Sequence, residues 1–566
     1  MTTQAFTPSK YQQAIFDFIQ TGKGNAVVEA VAGSGKTTTI LQALKFIPAN
    51  QSVTFLAFNK DIADKLKRDI AELGVTNADA RTLNSLGLRA WTKFKGVNKC
   101  NVEGKKLDLI GRTHRDFLQA RYHQSVDSAH QEEFVYVRTH LMGIIGLARK
   151  AKVNGIAPTG VPGVQGLVAD TVENWEAIID HYGIEFVEGS HTNDGIAIRA
   201  AQAILKKSVL DHDTIDFDDM FYLPLLYNAT FPKSDWIFID EAQDVSDIQR
   251  ELLARAMGPK TRLVAVGDPC QSIYGFRGAN PESLNNITRD FNATTLPLSI
   301  SYRCSKAVVE YAQGIVSHIL PNENAPQGSV TDLKDKFSLK GFRQDDMILC
   351  RNNAPLVNLA YDLIGEKIPC LLKGRDIGQG LIKLIDKLEA STVKGLLTKL
   401  DAWEHNETAR MLKKDADADL TPVQDKADSI RVFAKGSSAK TVAALKAEIT
   451  AMFKLSPNAW ENENRPDEGR ADILTLSSIH KAKGLEAPRV FILNYSLMPS
   501  KYAKKPWQVT QETNLQYVAV TRAKKDLVFI DRDANTRGER VETVDSLFDE
   551  VKNANLKTLS AQTGGI

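Results

Sequence analysis

The segment Glu29-Ala-Val-Ala-Gly-Ser-Gly-Lys36-Thr37-Thr38 puts a lysine and two hydroxyls directly behind a glycine-rich loop. It follows an apolar run and precedes a helical pattern, which is the context a phosphate-binding loop requires. Glycines let the chain curl so that successive backbone N–H groups face an anion, and Ala32, Gly33, Ser34 and Gly35 are the candidates for that cradle. Lys36 is spaced to reach the β and γ oxygens of a nucleoside triphosphate, and the Thr37 hydroxyl to ligate Mg²⁺, with Thr38 beside it. The simple consensus is missed at one position, where Ala30 replaces the opening glycine. A second segment, Asp235-Trp-Ile-Phe-Ile-Asp240-Glu241-Ala-Gln-Asp244, brings two carboxylates to the end of an apolar strand. That is the edge at which ligands bind in α/β sheets. Asp240 would hold Mg²⁺, directly or through water, and Glu241 would activate or orient an attacking water. Together the two segments predict hydrolysis of a nucleoside triphosphate.

Strands alternating with helices must carry these segments. Continuous apolar runs such as Trp236-Ile-Phe-Ile and Leu263-Val-Ala-Val suit strands covered on both faces, hence parallel sheets. Strands are expected at 25–31, 52–58, 235–241 and 262–268, and again at 294–301, 347–351, 473–477, 489–494 and 526–531. The fold class is therefore α/β, with two doubly wound parallel-sheet domains. Two stretches, 91–207 and 376–470, break the rhythm and read as mostly helical insertions, one in each domain. In the second, Leu381, Ile382, Leu384, Ile385 and Leu388 form a helical apolar stripe. The expected layout is a first core over 1–90 and 208–293, a second core over 294–375 and 471–535, and a tail over 536–566.

Of the 566 residues, 43% are hydrophobic and 25% charged, enough apolar material for several cores. Lys and Arg (71) nearly balance Asp and Glu (69), so any nucleic-acid surface has to be local. Five scattered cysteines without a C-x-x-C pair argue against a disulfide scaffold, a zinc ribbon and an iron–sulfur cluster. No apolar run approaches the ~18 residues of a membrane span. The N-terminus lacks the basic-then-apolar pattern of a signal peptide, so a cytoplasmic protein is expected. The segment Lys93–Arg121 sets eight Lys/Arg against Glu103, Asp108 and Asp116. It reads either as a solvated helix face or as a contact for duplex phosphates.

Further segments follow in a fixed order: Gln12 in Pro8-Ser-Lys-Tyr-Gln12-Gln-Ala, Phe58-Asn59-Lys60, Thr82-Leu-Asn84-Ser85 and Asp216-Phe217-Asp218-Asp219. Next come Val266-Gly-Asp268-Pro-Cys-Gln271-Ser272-Ile-Tyr274-Gly-Phe276-Arg277-Gly278, Tyr302-Arg303 and Arg351-Asn352-Asn353. The last are Ser478-Ile-His480-Lys-Ala-Lys483-Gly484-Leu-Glu486 and Glu512-x-x-Leu515-x-Tyr517-Val-Ala-Val-Thr-Arg522-Ala. In order and spacing these resemble the motifs of superfamily 1 helicases of the UvrD/Rep/PcrA group, from about Gln12 to Leu527. The resemblance implies two RecA-like domains.

It further implies adenine recognition by Gln12, with Gln13 as the alternative, and by Tyr302. Gln271 would sense the γ-phosphate, Arg303 would contact it, Arg522 would be an arginine finger, and Glu486 would touch the ribose. Single-strand contacts are implied for Phe58, Asn59, Thr82, Asn84, Ser85, Tyr274, Phe276, Arg351, Asn353 and His480. Phe276 stands where Trp is commoner but keeps a flat face for a base, worth roughly 1–3 kcal/mol. Asn84 stands where the group commonly has His. The implied activity is ATP- and Mg²⁺-dependent 3′→5′ translocation and unwinding by a monomer, on single strands and single-strand/duplex junctions, in a bacterial cytosol or encoded by a phage. Two other readings compete: a translocase that strips proteins and unwinds poorly, and an ATP-gated DNA-binding switch. Glu241, Gln271 and Arg522 argue against the switch.

Overall fold

The structure, a computed structural model, describes residues 6–532 apart from 58, 125–126, 183, 185, 187–193, 274–281, 335, 367, 369, 415–419 and 455–472. It has two units: the first runs to Leu298, except that Val31–Gly35 cluster with the second, which starts at Ser299.

The first unit is built on β1 (Asn25–Ala30), β2 (Val53–Ala57), β3 (Ala78–Thr82), β4 (Trp236–Ile239), β5 (Arg262–Gly267) and β6 (Ala293–Leu298). All pair in parallel, in the order β6-β1-β5-β4-β2-β3. The apolar runs predicted as doubly covered strands are the central ones, and all four residues of β4 are buried. Three adjacent central strands, β1, β5 and β4, thus open their C-terminal ends at one sheet edge. The strand at 293–298 corrects an expectation. It was placed in the second domain, but it pairs with β1 from Ala293 opposite Asn25 to Leu298 opposite Ala30. Its own composition does not reveal which sheet it joins, because crossovers decide strand order.

Helices Lys106–Gln124, Ser128–Val153, Val172–Tyr182 and Asp194–Leu210 make up most of the first insertion. Their apolar faces, with Ile144, Leu147, Trp175, Ala201 and Ile204, share one core with the sheet residues Val27, Leu56 and Ile237. A charged knot ties this region together. Lys152 Nζ lies 2.7 Å from both Asp216 Oδ2 and Asp219 Oδ1. Lys106 Nζ lies 2.8 Å from Asp219 Oδ2 and also donates to the Ser208 and Asp211 carbonyls. All four side chains are buried.

The second unit repeats the plan with β7 (Ser329–Lys334), β8 (Met347–Cys350), β9 (Cys370–Lys373), β10 (Leu474–Ser478), β11 (Ala487–Leu493) and β12 (Ala523–Ile530). These are again all parallel, ordered β7-β12-β11-β8-β10-β9. Helices Arg375–Lys387, Val393–Lys414, Thr421–Gly436 and Val442–Lys454 follow β9. The predicted stripe faces inward: Leu381 and Ile385 join Leu396, Phe433 and Ile449 in one core with Ile348, Leu476 and Phe491 of the sheet. Among the described residues no helix is long and apolar enough to cross a membrane, and no three His, Cys, Asp or Glu gather as a metal cluster.

Candidate functional site

The helix Lys36–Ala43 starts after the glycine loop, so Lys36 and Thr37 occupy its first turn. Asp240 and Glu241 follow β4 across the same sheet edge. The Thr37 hydroxyl donates to Asp240 Oδ2 at 2.9 Å, and Lys36 Nζ lies 3.5 Å from Glu241 Oε1. Glu241 sits at φ 54, a left-handed conformation that costs a residue with a Cβ and clusters at functional sites.

Two residues to which the sequence assigned no role hold these groups. Gln243 donates to Glu241 through Nε2 and accepts the Asp268 N–H at Oε1, the latter at 3.0 Å. Asp268 in turn accepts from Gln271 Nε2 at 2.6 Å and from the Cys270 N–H at 3.0 Å. A Cβ on Gly267 would lie 2.5 Å from Gln243 Oε1, so the close approach of β5 to this glutamine requires glycine.

The electrostatics are lopsided. Among the described residues, Lys36 faces Asp240, Glu241 and Asp268 alike. Burial and the adjacent Glu241 charge push Asp240 up to about 6, against the pull of Lys36. Burial likewise raises Asp268. An excess of hard oxygen donors beside a hydroxyl is the donor set that Mg²⁺ accepts, with one or two carboxylates and the rest supplied by phosphate and water. Thr37 and Asp240 therefore fit that ion.

Gln12 is buried on the first helix, Lys10–Thr21. Its Nε2 donates to Thr39 Oγ1 at 3.0 Å and its Oε1 accepts the Ser9 N–H. Gln13 instead donates to Asp17 on an exposed face, so Gln12 is the glutamine brought to the Lys36 helix.

The strand-contact candidates of the first unit follow β2 and β3 at the C-terminal sheet edge. Asn59 caps the helix Lys60–Glu72, its Oδ1 accepting the Ile62 N–H. Thr82 caps Leu83–Lys95 by accepting the Ser85 N–H, and the Ser85 hydroxyl donates back to the Thr82 carbonyl. Asn84 Nδ2 donates to the Phe217 carbonyl at 2.8 Å. Phe58, Tyr274 and Phe276 lie outside the described residues. Lys106, counted in the basic stretch 93–121, is buried in the charged knot and withdrawn from any surface.

In the second unit, Gly33 and Gly35 take positive φ of 70° and 76°, and Ser34 is buried. The Ala32 N–H donates to the Tyr517 hydroxyl at 2.9 Å, and the Gly33 carbonyl accepts the Tyr302 N–H at 2.8 Å. Arg303 pairs with Glu486 at 2.5 Å, as does Lys524 at 2.8 Å. Burial would raise Glu486, but these two cations hold it below the usual carboxylate range. Arg522 is 1% exposed, and its guanidinium donates to the carbonyls of Val518 and Leu485. Arg351 donates to Glu512, and Asn353 Nδ2 to Asp425. His480 stands in the turn after β10. Each candidate arginine of this unit thus has a protein acceptor.

Comparison with known proteins agrees with this picture. Residues 11–292 match the UvrD/REP helicase N-terminal domain, and residues 390–533 the UvrD-like helicase C-terminal domain. The chain is 25% identical over 434 residues to a putative ATP-dependent DNA helicase, YjcD, of Bacillus subtilis, covering 58% of this chain and 56% of that protein. Identity to the ATP-dependent DNA helicase Rep of Buchnera aphidicola is 21% over 429 residues, 56% of this chain and 66% of Rep. DNA helicase II of Haemophilus influenzae is 23% identical over 412 residues, 54% and 56% of the two chains. The chain therefore spans between about half and two thirds of the length of these relatives. With two family domains matched in order over two parallel-sheet units, and Lys36 and Thr37 meeting Glu241 and Asp240 in the first, the chain belongs to the UvrD/Rep family of superfamily 1 helicases.

Proposed function

We propose that the chain is an ATP-dependent DNA helicase that translocates along single-stranded DNA with 3′→5′ polarity. The observation that carries this reading is the Thr37–Asp240 contact beside the Lys36–Glu241 pair, at a sheet edge that also carries Asn59 and Thr82–Ser85. Nucleotide chemistry and strand contact then share one rigid element, which coupling requires.

Lys36 supplies the charge that meets the β and γ oxygens of ATP. Mg²⁺, held by Thr37 and Asp240, would neutralise charge on those phosphates. Glu241 orients the attacking water and takes up its proton. Gln243 holds the Glu241 carboxylate in place, and Asp268 aims Gln271 towards the γ-phosphate. Gln12 is assigned to the adenine edge, with Tyr302 against its ring. Arg303 and Arg522 are assigned to the transferring phosphoryl group, where an arginine finger contributes roughly 10³–10⁵ in rate. Reaching it means exchanging the acceptors each arginine now has. Loss of the γ-phosphate lets them return, and that alternation would drive stepping.

Partial duplexes with a 3′ or a 5′ single-stranded tail, given ATP and Mg²⁺, test the reading directly. Unwinding of the 3′-tailed substrate alone is expected. Unwinding of the 5′-tailed substrate alone would reverse the polarity, and neither unwinding nor DNA-stimulated phosphate release would remove the helicase assignment.

A further inference from the structure

The strand-contact element expected after β8 is already taken up by carboxylates. Glu512 accepts from Arg351 Nη2 at 2.7 Å and Nε at 3.1 Å. Asp425 accepts from Asn353 Nδ2 and from the backbone N–H groups of Asn353 and Ala354, all within 2.9 Å. A phosphate arriving there meets two carboxylates, and Arg351 and Asn353 would have to exchange these acceptors to hold it, whereas an unpaired cation nearby would not.

The Glu512 carboxylate also accepts the Ser500 N–H at 2.9 Å. Ser500 opens the segment Ser500-Lys-Tyr-Ala-Lys-Lys-Pro506, which lies beyond β11, the sheet neighbour of β8, on the side of its C-terminal end. This segment is pinned at both ends. The hydroxyls of Ser500 and Thr421 are 2.8 Å apart, the Tyr502 hydroxyl donates to Gln424 Oε1 at 3.0 Å, and the Lys505 N–H donates to Gln508 Oε1 at 3.0 Å. From this fixed backbone Lys501 and Lys504 project as exposed side chains. Among the described residues neither is paired with a carboxylate; Lys501 Nζ lies 5.3 Å from the Tyr502 ring centre, which leaves its charge intact. Ammonium groups are point charges that meet phosphate without reading the base, as a protein moving along arbitrary sequence needs.

We propose that Lys501 and Lys504 are backbone-phosphate contacts for single-stranded DNA. The inference rests on the DNA-translocating function proposed above. The test is binding of a fluorescein-labelled oligothymidylate, read by anisotropy across a NaCl titration. It compares wild type, the double variant Lys501→Gln/Lys504→Gln, and a control, Lys394→Gln/Lys440→Gln, that removes the same charge from exposed sites elsewhere in the unit. Thermal melting first establishes that all three are folded alike. Loss of two single-strand phosphate contacts makes the slope of log K against log salt shallower by about 1.4, and the control keeps the wild-type slope. An unchanged slope in the Lys501/Lys504 variant overturns the proposal, and so does an equal change in the control, which would reduce the effect to bulk charge. A wild-type chain that binds no single strand removes the proposed function and this inference with it. Wild-type binding with an unchanged slope in the variant removes this inference alone.

Discussion

The first unit holds two groups of acidic side chains, and they are balanced differently. In the knot, Asp216 and Asp219 meet Lys106 and Lys152, charge for charge. Burial would raise Asp219, but the two lysines hold it below the usual carboxylate range. Lys152 is raised because Asp219 and Asp216 outweigh its own burial. At the ends of β4 and β5, Lys36 is the cation that faces Asp240 and Asp268 among the described residues, and burial drives both of these carboxyls the other way. Equal burial with opposite shifts separates a closed structural network from a site short of positive charge. The proposed Mg²⁺-nucleotide would bring to the second the cation and the anion together.

The largest effect expected is on turnover. Glu241→Gln keeps size and shape but removes the proton acceptor, so kcat for ATP hydrolysis should fall about 10²–10⁴-fold. Nucleotide binding should persist, because Lys36 and Thr37 remain. Steady-state phosphate release and equilibrium nucleotide binding measure the two separately; unaltered kcat would take Glu241 out of the chemistry. Next is Lys152→Met, which preserves the buried stem but strands Asp216 and one oxygen of Asp219. Breaking a buried ion network from one side costs about 3–5 kcal/mol. Urea unfolding should show that loss, and a loss under ~1 kcal/mol would mean that water replaces the lysine and the knot is not closed.

The candidate site could be assembled from sequence because its proposed chemistry demands neighbours along the chain: a lysine and a hydroxyl behind glycines, two acids behind an apolar strand. The knot was not, since its members stand at 106, 152, 216 and 219 and meet only after the helices pack. A lysine also defaults to solvent, so Lys106 was counted with a basic face. Gln243 and Asp268 were invisible as supports for a similar reason, because their roles depend on the parallel pairing that sets the ends of β4 and β5 side by side. The two parallel sheets were anticipated from continuous apolar runs, and the strands missed share a cause. β3, β7 and β9 are edge strands. β3 and β7 lack the run that marks a doubly covered strand, as in the half-exposed Ser-Val-Thr-Asp-Leu-Lys of β7, while the Cys-Leu-Leu-Lys of β9 is too short to stand out.

A smaller effect distinguishes the two groups by its sign. Asp240→Asn retains an acceptor for the Glu241 N–H and a partner for Thr37 while removing a charge that burial and the Glu241 charge disfavour. The nucleotide-free protein should therefore gain about 1–3 kcal/mol, given what a shift of this size represents. The same variant should forfeit the extra stability that Mg²⁺-nucleotide gives wild type, about 2.7 kcal/mol at a hundred times Kd. Asp219→Asn should go the opposite way, destabilising with or without nucleotide. Melting curves of both variants with and without Mg²⁺-nucleotide decide it, and equal signs would erase the distinction.

The smallest expected effect concerns Asp218, a third acid in the turn that carries the knot. Burial first, then the Asp216 charge, push it up to about 6, opposed by Lys152 and Arg149. In the unfolded chain it titrates near the ordinary value of about 3.9. Below about pH 4 it is protonated in both states and contributes nothing to the pH dependence. Between about 4 and 6 the folded state keeps a proton that the unfolded state has lost, so stability falls as pH rises through this window and stays lower above it. The residue is partly exposed, and the penalty at neutral pH comes to about 1–2 kcal/mol. Asp218→Asn should remove it. Urea midpoints should show the variant ahead of wild type at pH 7.5 and level with it near pH 4. A constant gap at both values would mean the change acts through packing, and no gap at pH 7.5 would mean that the knot's two lysines already neutralise the third acid.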